Sequence, residues 1–151
     1  MQTINIVYIS LSGNTEYFIN QLANHIEKIY GKYTQKINVK NLHKEGRDFP
    51  EMQDSYVAFL PSYLEGGNGI DNGYKEILTT PLKDFLSSND NYKKCLGIIG
   101  SGNKNFNKQF CLTALQYSDE FGFPLLDTFE LRGTEEDVER IAKNIIEKVN
   151  L

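Results

Sequence analysis

The chain of 151 residues has two cysteines, two histidines and only four prolines, and it holds no uninterrupted apolar run of about 18 residues. Each scarcity closes off a class of explanation. Cys95 and Cys111 do not form a CxxC pair and have no histidine at ligand spacing. Cys95 precedes the apolar run Leu96-Gly97-Ile98-Ile99, and Cys111 falls in an expected helix, so both read as small buried hydrophobes. His25 belongs to an expected helix and His43 to a polar loop; neither has a visible partner and neither is assigned chemistry. No paired carboxylates, Ser-His-Asp set or metal-ligand cluster is legible. The 16 Lys and Arg and 20 Asp and Glu are interspersed and sum to −4, with no basic stripe for nucleic acid. A charged-then-apolar leader and a membrane span are both missing, which predicts a cytoplasmic protein. This length suits a single domain over residues 1–151, large enough to bury a full core.

What is present gathers around Ile4 to Thr15. Ile4-Asn5-Ile6-Val7-Tyr8-Ile9 is a β-branched run that reads as a buried strand. It enters the loop Ser10-Leu11-Ser12-Gly13-Asn14-Thr15, after which Phe18, Leu22, Ile26 and Ile29 recur at helical spacing. A hydroxyl-rich loop therefore joins a strand end to a helix N-terminus, where backbone N–H groups lack intrahelical partners and the dipole favours an anion. The loop has neither the glycine-lysine-Ser/Thr ending of a triphosphate loop nor the three glycines of a dinucleotide turn. Its neutral donors, Ser10, Ser12, Asn14 and Thr15, suit one monoester phosphate held without a counter-ion. The competing reading is a plain βα turn whose serine or threonine caps the helix.

Strands and helices alternate through the rest of the chain. Gly31 offers a C-cap, and Thr34 to Val39 is predicted as the second strand. The polar stretch Asn41 to Asp54 reads as an irregular crossover. Tyr56-Val57-Ala58-Phe59-Leu60 is a third strand, followed by the glycine-dense loop Ser62-Tyr63-Leu64-Glu65-Gly66-Gly67-Asn68-Gly69. Tyr74, Ile77 and Leu78 suggest a helical turn, and Thr80-Pro81 opens a helix through Leu86. Tyr92 to Ile99 is a fourth strand, leading into Gly100-Ser101-Gly102-Asn103-Lys104-Asn105-Phe106-Asn107. A helix from about Lys108 to Phe121 closes at Gly122, and a fifth strand runs from Pro124 to Leu131. Thr134 to Asp137 opens a last helix with a cap and first-turn acids, and Val138, Ile141, Ala142, Ile145, Ile146 and Val149 line one face.

Five apolar strands separated by helices predict an α/β, doubly wound parallel sheet covered on both faces. In the strand order 2-1-3-4-5, the loops after strands one, three and four meet on one rim, where ligands bind in such sheets. The first loop suits a phosphate. The second offers Tyr63 as a flat face and glycines that admit backbone to a ring edge. The third offers donors for a pyrimidine edge and Phe106 as a second wall; for Tyr63 or Phe106 singly, core or rim packing is nearly as good a reading, whereas as a pair flanking one pocket they favour ring stacking. Each of the three loops thus has a role that flavin chemistry would demand.

The loop Ser10 to Thr15 resembles the FMN-phosphate loop of flavodoxins. Gly100-Ser101-Gly102-Asn103-Lys104-Asn105-Phe106-Asn107, with Phe129-Glu130-Leu131-Arg132-Gly133-Thr134-Glu135-Glu136-Asp137-Val138, is similar to segments of the NrdI proteins. Those are small flavodoxin-like activators of the class Ib, dimanganese ribonucleotide reductase, and the resemblance spans essentially the whole chain. It implies a flavodoxin-like fold and a non-covalently held FMN. It further implies that the reduced flavin meets dioxygen and delivers a superoxide-level oxidant to the reductase small subunit. The implied partners are that subunit and a flavin reductase or other electron donor, with no nucleic acid or membrane involved. Carried over by position, Ser10, Ser12, Asn14 and Thr15 with the Gly13 backbone hold phosphate. Tyr63 and Phe106 flank the isoalloxazine, and Ser101, Gly102, Asn103 and Asn105 hold its pyrimidine side. Leu11, Ser62 and Leu64 complete the cofactor-binding set. Gly66 and Gly67 lie near flavin N5, where a turning carbonyl accepts the hydrogen of the reduced ring. Three other readings stand beside this one: a general electron-transfer flavodoxin, a paralogue serving a different reductase, and a flavin-free phosphate-binding or interaction domain.

Overall fold

The computed structural model describes residues 3–9, 13–40, 49–61, 64–65, 75–76, 80–102 and 112–150, and the contacts reported are among these. The central sheet contains β1 (Thr3–Tyr8), β2 (Tyr33–Asn38), β3 (Tyr56–Pro61), β6 (Cys95–Gly102) and β7 (Leu125–Glu130). Their order is β2-β1-β3-β6-β7, and every pairing is parallel, which is the predicted 2-1-3-4-5 arrangement. A separate antiparallel ribbon pairs β4 (Leu64–Glu65) with β5 (Lys75–Glu76). The helices are α1 (Asn14–His25), α2 (Thr80–Ser87), α3 (Leu112–Phe121) and α4 (Glu135–Val149).

Alternation along the central strands decides which face each side chain serves. Ile4, Ile6 and Tyr8 of β1, with Val57 and Phe59 of β3, pack against α1 and α4 through Phe18, Leu22, Ile141 and Ile145. Val7, Tyr56, Ala58 and Leu60 point to the opposite face and meet Leu82 and Phe85 of α2 and Ala114 and Tyr117 of α3. Both faces are apolar, so β3 is buried at all six positions, as a central parallel strand must be. The predicted stripe of α4 is buried from Val138 to Ile146, with Val149 partly covered.

Several boundaries differ from the sequence expectation. The expected helical turn around Tyr74 to Leu78 is not formed at Lys75 and Glu76, which pair in extended form with Glu65 and Leu64. Two-residue strands carry no readable period, and their pairing is non-local, so no sequence window contains the signal. Residues Tyr92 to Lys94 close a 3₁₀ segment, and the fourth central strand starts at Cys95. In that segment Asn89 and Asp90 adopt φ of 55° and 56°, which asparagine and aspartate tolerate better than most residues. Asn91, 1% exposed, anchors the irregular crossover: its Nδ2 donates to the Pro50 and Phe85 carbonyls, and its Oδ1 accepts from the Met52 N–H.

Ile29 is the other departure. Phe18, Leu22 and Ile26 are fully buried, yet Ile29 is 59% exposed. The chain over Ile26–Tyr30 widens into a π turn, departing from the 100° spacing that the predicted row assumes, and Gly31 ends it at φ 65°. Ile29→Lys should therefore shift unfolding free energy by less than about 0.5 kcal/mol, whereas a helix face continuing to Ile29 would lose several times that. Urea denaturation of the single variant decides between them.

Candidate functional site

The carboxyl ends of β1, β3 and β6 are adjacent in the sheet. At the first of them, Gly13 occupies the N-cap of α1 at φ 88°, a left-handed conformation natural to glycine, and nothing among the described residues lies within 4 Å of a Cβ placed there. Tyr17 N–H makes the first intrahelical bond, to the Gly13 carbonyl (2.9 Å), so the Asn14 and Thr15 N–H groups have no intrahelical acceptor. Gly13, as the N-cap residue, has no side chain with which to cap α1. The other end of the same chain shows what a self-sufficient helix start looks like: Thr134 and Asp137 close α4 with a reciprocal capping box. The plain-cap reading rests on Ser10 and Ser12, which lie outside the described residues; the Asn14 and Thr15 N–H groups stand at the end of α1 where the helix dipole favours an anion.

Thr15 and Ser101 join this helix start to the end of β6. Their hydroxyl oxygens are 3.3 Å apart, and the two residues are 2% and 3% exposed. The predicted convergence of the first and third loops is therefore a direct buried contact between residues far apart in sequence. A second brace sits beside it, where the Tyr8 hydroxyl donates to Glu16 Oε1 at 2.8 Å. Burial, followed by the Glu16 carboxylate, pushes the Tyr8 hydroxyl pKa well up, so it remains a donor at physiological pH.

Gly13, Asn14, Thr15, Ser101 and Gly102 of the predicted site lie on this rim, and Leu64 starts the ribbon that follows β3. Ser10, Leu11, Ser12, Ser62, Tyr63, Gly66, Gly67, Asn103, Asn105 and Phe106 lie outside the described residues, as do His43 and Cys111. Cys95 is buried and its thiol is pushed up to about 12 by desolvation, in keeping with a small buried hydrophobe. No group of metal-ligating side chains occurs among the described residues. A cavity of about 800 Å³ lined by Asn5, Gln35, Asp54 and Tyr56 lies at the opposite, amino-terminal ends of the strands, away from the rim.

Sequence reasoning assigned no role to the turn between β7 and α4, and the structure brings it to the same rim. The Leu131 N–H donates to the Gly102 carbonyl (2.9 Å), and the Arg132 Nε donates to Asn14 Oδ1 (3.2 Å). The Gly133 position seats directly on Phe18. Behind the turn, Arg140 links Asp127 of β7 with Asp137 of α4 and donates to the Thr128 carbonyl. This arrangement covers the edge strand with charge.

Burial alone raises the Asp137 carboxyl pKa, but the Thr134 N–H and Arg140 outweigh it and hold the group below its ordinary 3.8. A depressed pKa stabilises the fold above the unfolded value, and that contribution is lost as pH falls through the folded value. The stability gap between the wild type and Asp137→Asn should therefore be full at pH 7 and shrink below the ordinary 3.8, read by denaturant melts at each pH. A gap that is constant or grows on acidification would contradict this pairing.

The sequence profile of the family described as "NrdI Flavodoxin like" matches residues 6–143. The chain belongs to the NrdI family. A NrdI-like protein of Streptococcus pneumoniae serotype 4 is 56% identical over 152 residues, covering 100% of this chain and 97% of that one. Protein NrdI of Mycoplasma genitalium is 37% identical over 142 residues, covering 93% of this chain and 81% of its own. Among solved structures, a short-chain flavodoxin associated with a non-canonical PDU bacterial microcompartment superposes with TM-score 0.68 at 23% identity, covering 99% and 97% of the two chains. Oxidised flavodoxin 2 of Bacillus cereus gives 0.64 at 21%, covering 97% and 99%. These likenesses match the fold derived from the strands. Membership of this flavodoxin-like NrdI family implies FMN as the cofactor, and a helix N-terminus entered through a left-handed Gly13 is a place that suits a phosphate monoester. No helix among the described residues is long and apolar enough to cross a membrane.

Proposed function

We propose that this chain is a cytoplasmic FMN protein that works with a class Ib ribonucleotide reductase, delivering a superoxide-level oxidant to the metal cofactor of its small subunit. When bound, FMN supplies one-electron reduction of dioxygen. The chain's own residues hold and expose the flavin. Ser10, Ser12, Asn14 and Thr15, with the Gly13 backbone, take the phosphate at the positive end of α1. Ser101, Gly102, Asn103 and Asn105 receive the pyrimidine edge, between Tyr63 and Phe106. A carbonyl of Gly66 or Gly67 accepts the hydrogen at flavin N5. The observation that most supports one shared cofactor is the buried Thr15–Ser101 contact, which joins the start of α1 to the end of β6.

The test has two stages. Purified protein titrated with FMN should develop a bound-flavin visible spectrum; a colourless protein that takes up no FMN ends every flavin reading. The reduced holoprotein, mixed with dioxygen and the metal-loaded small subunit, should then generate active reductase. Flavin uptake without activation would leave a general electron carrier, or a paralogue whose reductase is a different one.

A further inference from the structure

We propose that Arg132 is a positioning residue for the phosphate end of the cofactor, acting through the Asn14 side chain. The inference rests on the FMN reading of the rim and extends it to an element 118 residues away in sequence from the loop it serves. Three features hold the arginine in place. The turn that carries it is tied to β6 on its preceding residue, through the Leu131 N–H and the Gly102 carbonyl (2.9 Å), and is tightened on its following one, from the Gly133 N–H to the Glu130 carbonyl (2.8 Å). Its guanidinium lies over the Tyr17 ring, with Cζ 4.8 Å from the centroid, an approach that favours a cation on an aromatic face. Its Nε donates to Asn14 Oδ1 at 3.2 Å.

The consequence follows from donor and acceptor chemistry. Arginine has only donors, so its partner on Asn14 must be the carbonyl oxygen, and the orientation of the carboxamide is thereby fixed. With the oxygen engaged, the Asn14 amide has its two N–H donors left to offer an acceptor. A phosphate needs donors and is repelled by a carbonyl oxygen, so an Asn14 amide free to flip would present its wrong end part of the time. Asn14 is the first residue of α1, directly after the left-handed Gly13, where an anion would sit. The guanidinium charge adds a favourable field, but its geometry is spent on the neutral amide.

A double-mutant cycle with FMN and riboflavin tests this. Arg132 is exposed, so Arg132→Met is expected to fold, which a thermal melt checks. In the native background, Arg132→Met should weaken FMN binding five- to tenfold and leave riboflavin, which has no phosphate, within twofold. In an Asn14→Ala background the same substitution should change FMN affinity less than twofold, because the group it acts through is gone. Arg132→Lys retains the charge and loses the planar Nε donor, so it should recover little of the loss. Equal losses in both backgrounds, full recovery by lysine, or no loss at all would overturn the proposal while leaving FMN binding intact. A wild-type chain that takes up neither flavin would overturn the cofactor reading and this inference together.

Discussion

Replacing Ser12 and Thr15 together by alanine should weaken FMN binding by at least about tenfold and leave riboflavin binding nearly unchanged. Each hydroxyl is assigned a hydrogen bond to a phosphate oxygen, and a bond to a charged acceptor contributes about 1.5–3 kcal/mol. Riboflavin carries the same ring and lacks the phosphate, so it reports any general damage to the pocket. The control is needed because Thr15 has a second role. Its hydroxyl sits 3.3 Å from that of Ser101, and both are buried, so alanine at position 15 leaves Ser101 short of a partner. That loss costs about 1–3 kcal/mol of apoprotein stability and reaches both ligands alike. Isothermal titration of the double variant with each flavin, alongside urea melts of the apoprotein, separates the two effects. Equal losses of FMN and riboflavin would mean that the phosphate does not bind in this loop.

The parts of the fold that the sequence made legible are those in which the signal is local and repeated. The first strand, expected over Ile4 to Ile9 and formed over Thr3–Tyr8, the buried face of α4 and the cap at Thr134 each declare themselves within one window. The order of the strands was accessible because parallel crossovers leave few topologies open. The site was legible at the level of loops: a hydroxyl-rich strand-to-helix turn and a glycine-rich strand end could be placed on one rim, and Thr15 and Ser101 do meet. Illegible features depend on pairings between distant residues or on local backbone departures. The β4–β5 ribbon involves two residues per strand. The exposure of Ile29 turns on a π turn that no hydrophobic row announces. Arg132 stood inside a segment quoted for its family likeness, yet its partner Asn14 is visible only once α1 and the β7–α4 turn are side by side. One signal could have pointed there: a glycine directly after Arg132 marks a turn whose backbone must come close to something.

That glycine is where the largest loss of stability is expected. Gly133→Ala should destabilise the protein by about 2–5 kcal/mol, the sum of left-handed strain and a core clash. The backbone at Gly133 has φ 76°, where a side chain carries a penalty of about 1–2 kcal/mol in any surroundings. The new Cβ would also stand 2.5 Å from Phe18 Cδ2 and 2.7 Å from Cε2. Phe18 has little room to retreat, because it is fully buried and stacked on Phe129 with ring centroids 3.9 Å apart. Relief must come from moving the turn itself, which lifts Leu131 from the Gly102 carbonyl and Arg132 from Asn14. The variant should therefore lose FMN affinity as well as stability. Gly122→Ala supplies the comparison, since its φ is 85° but nothing among the described residues lies within 4 Å of its Cβ position, so it carries the strain without the clash. Urea melts of the two variants should differ by about 1–3 kcal/mol, the cost of overpacking alone. If they were equally destabilised, the close seating of the turn on Phe18 would be wrong, and with it the route by which the C-terminal quarter of the chain reaches the cofactor rim.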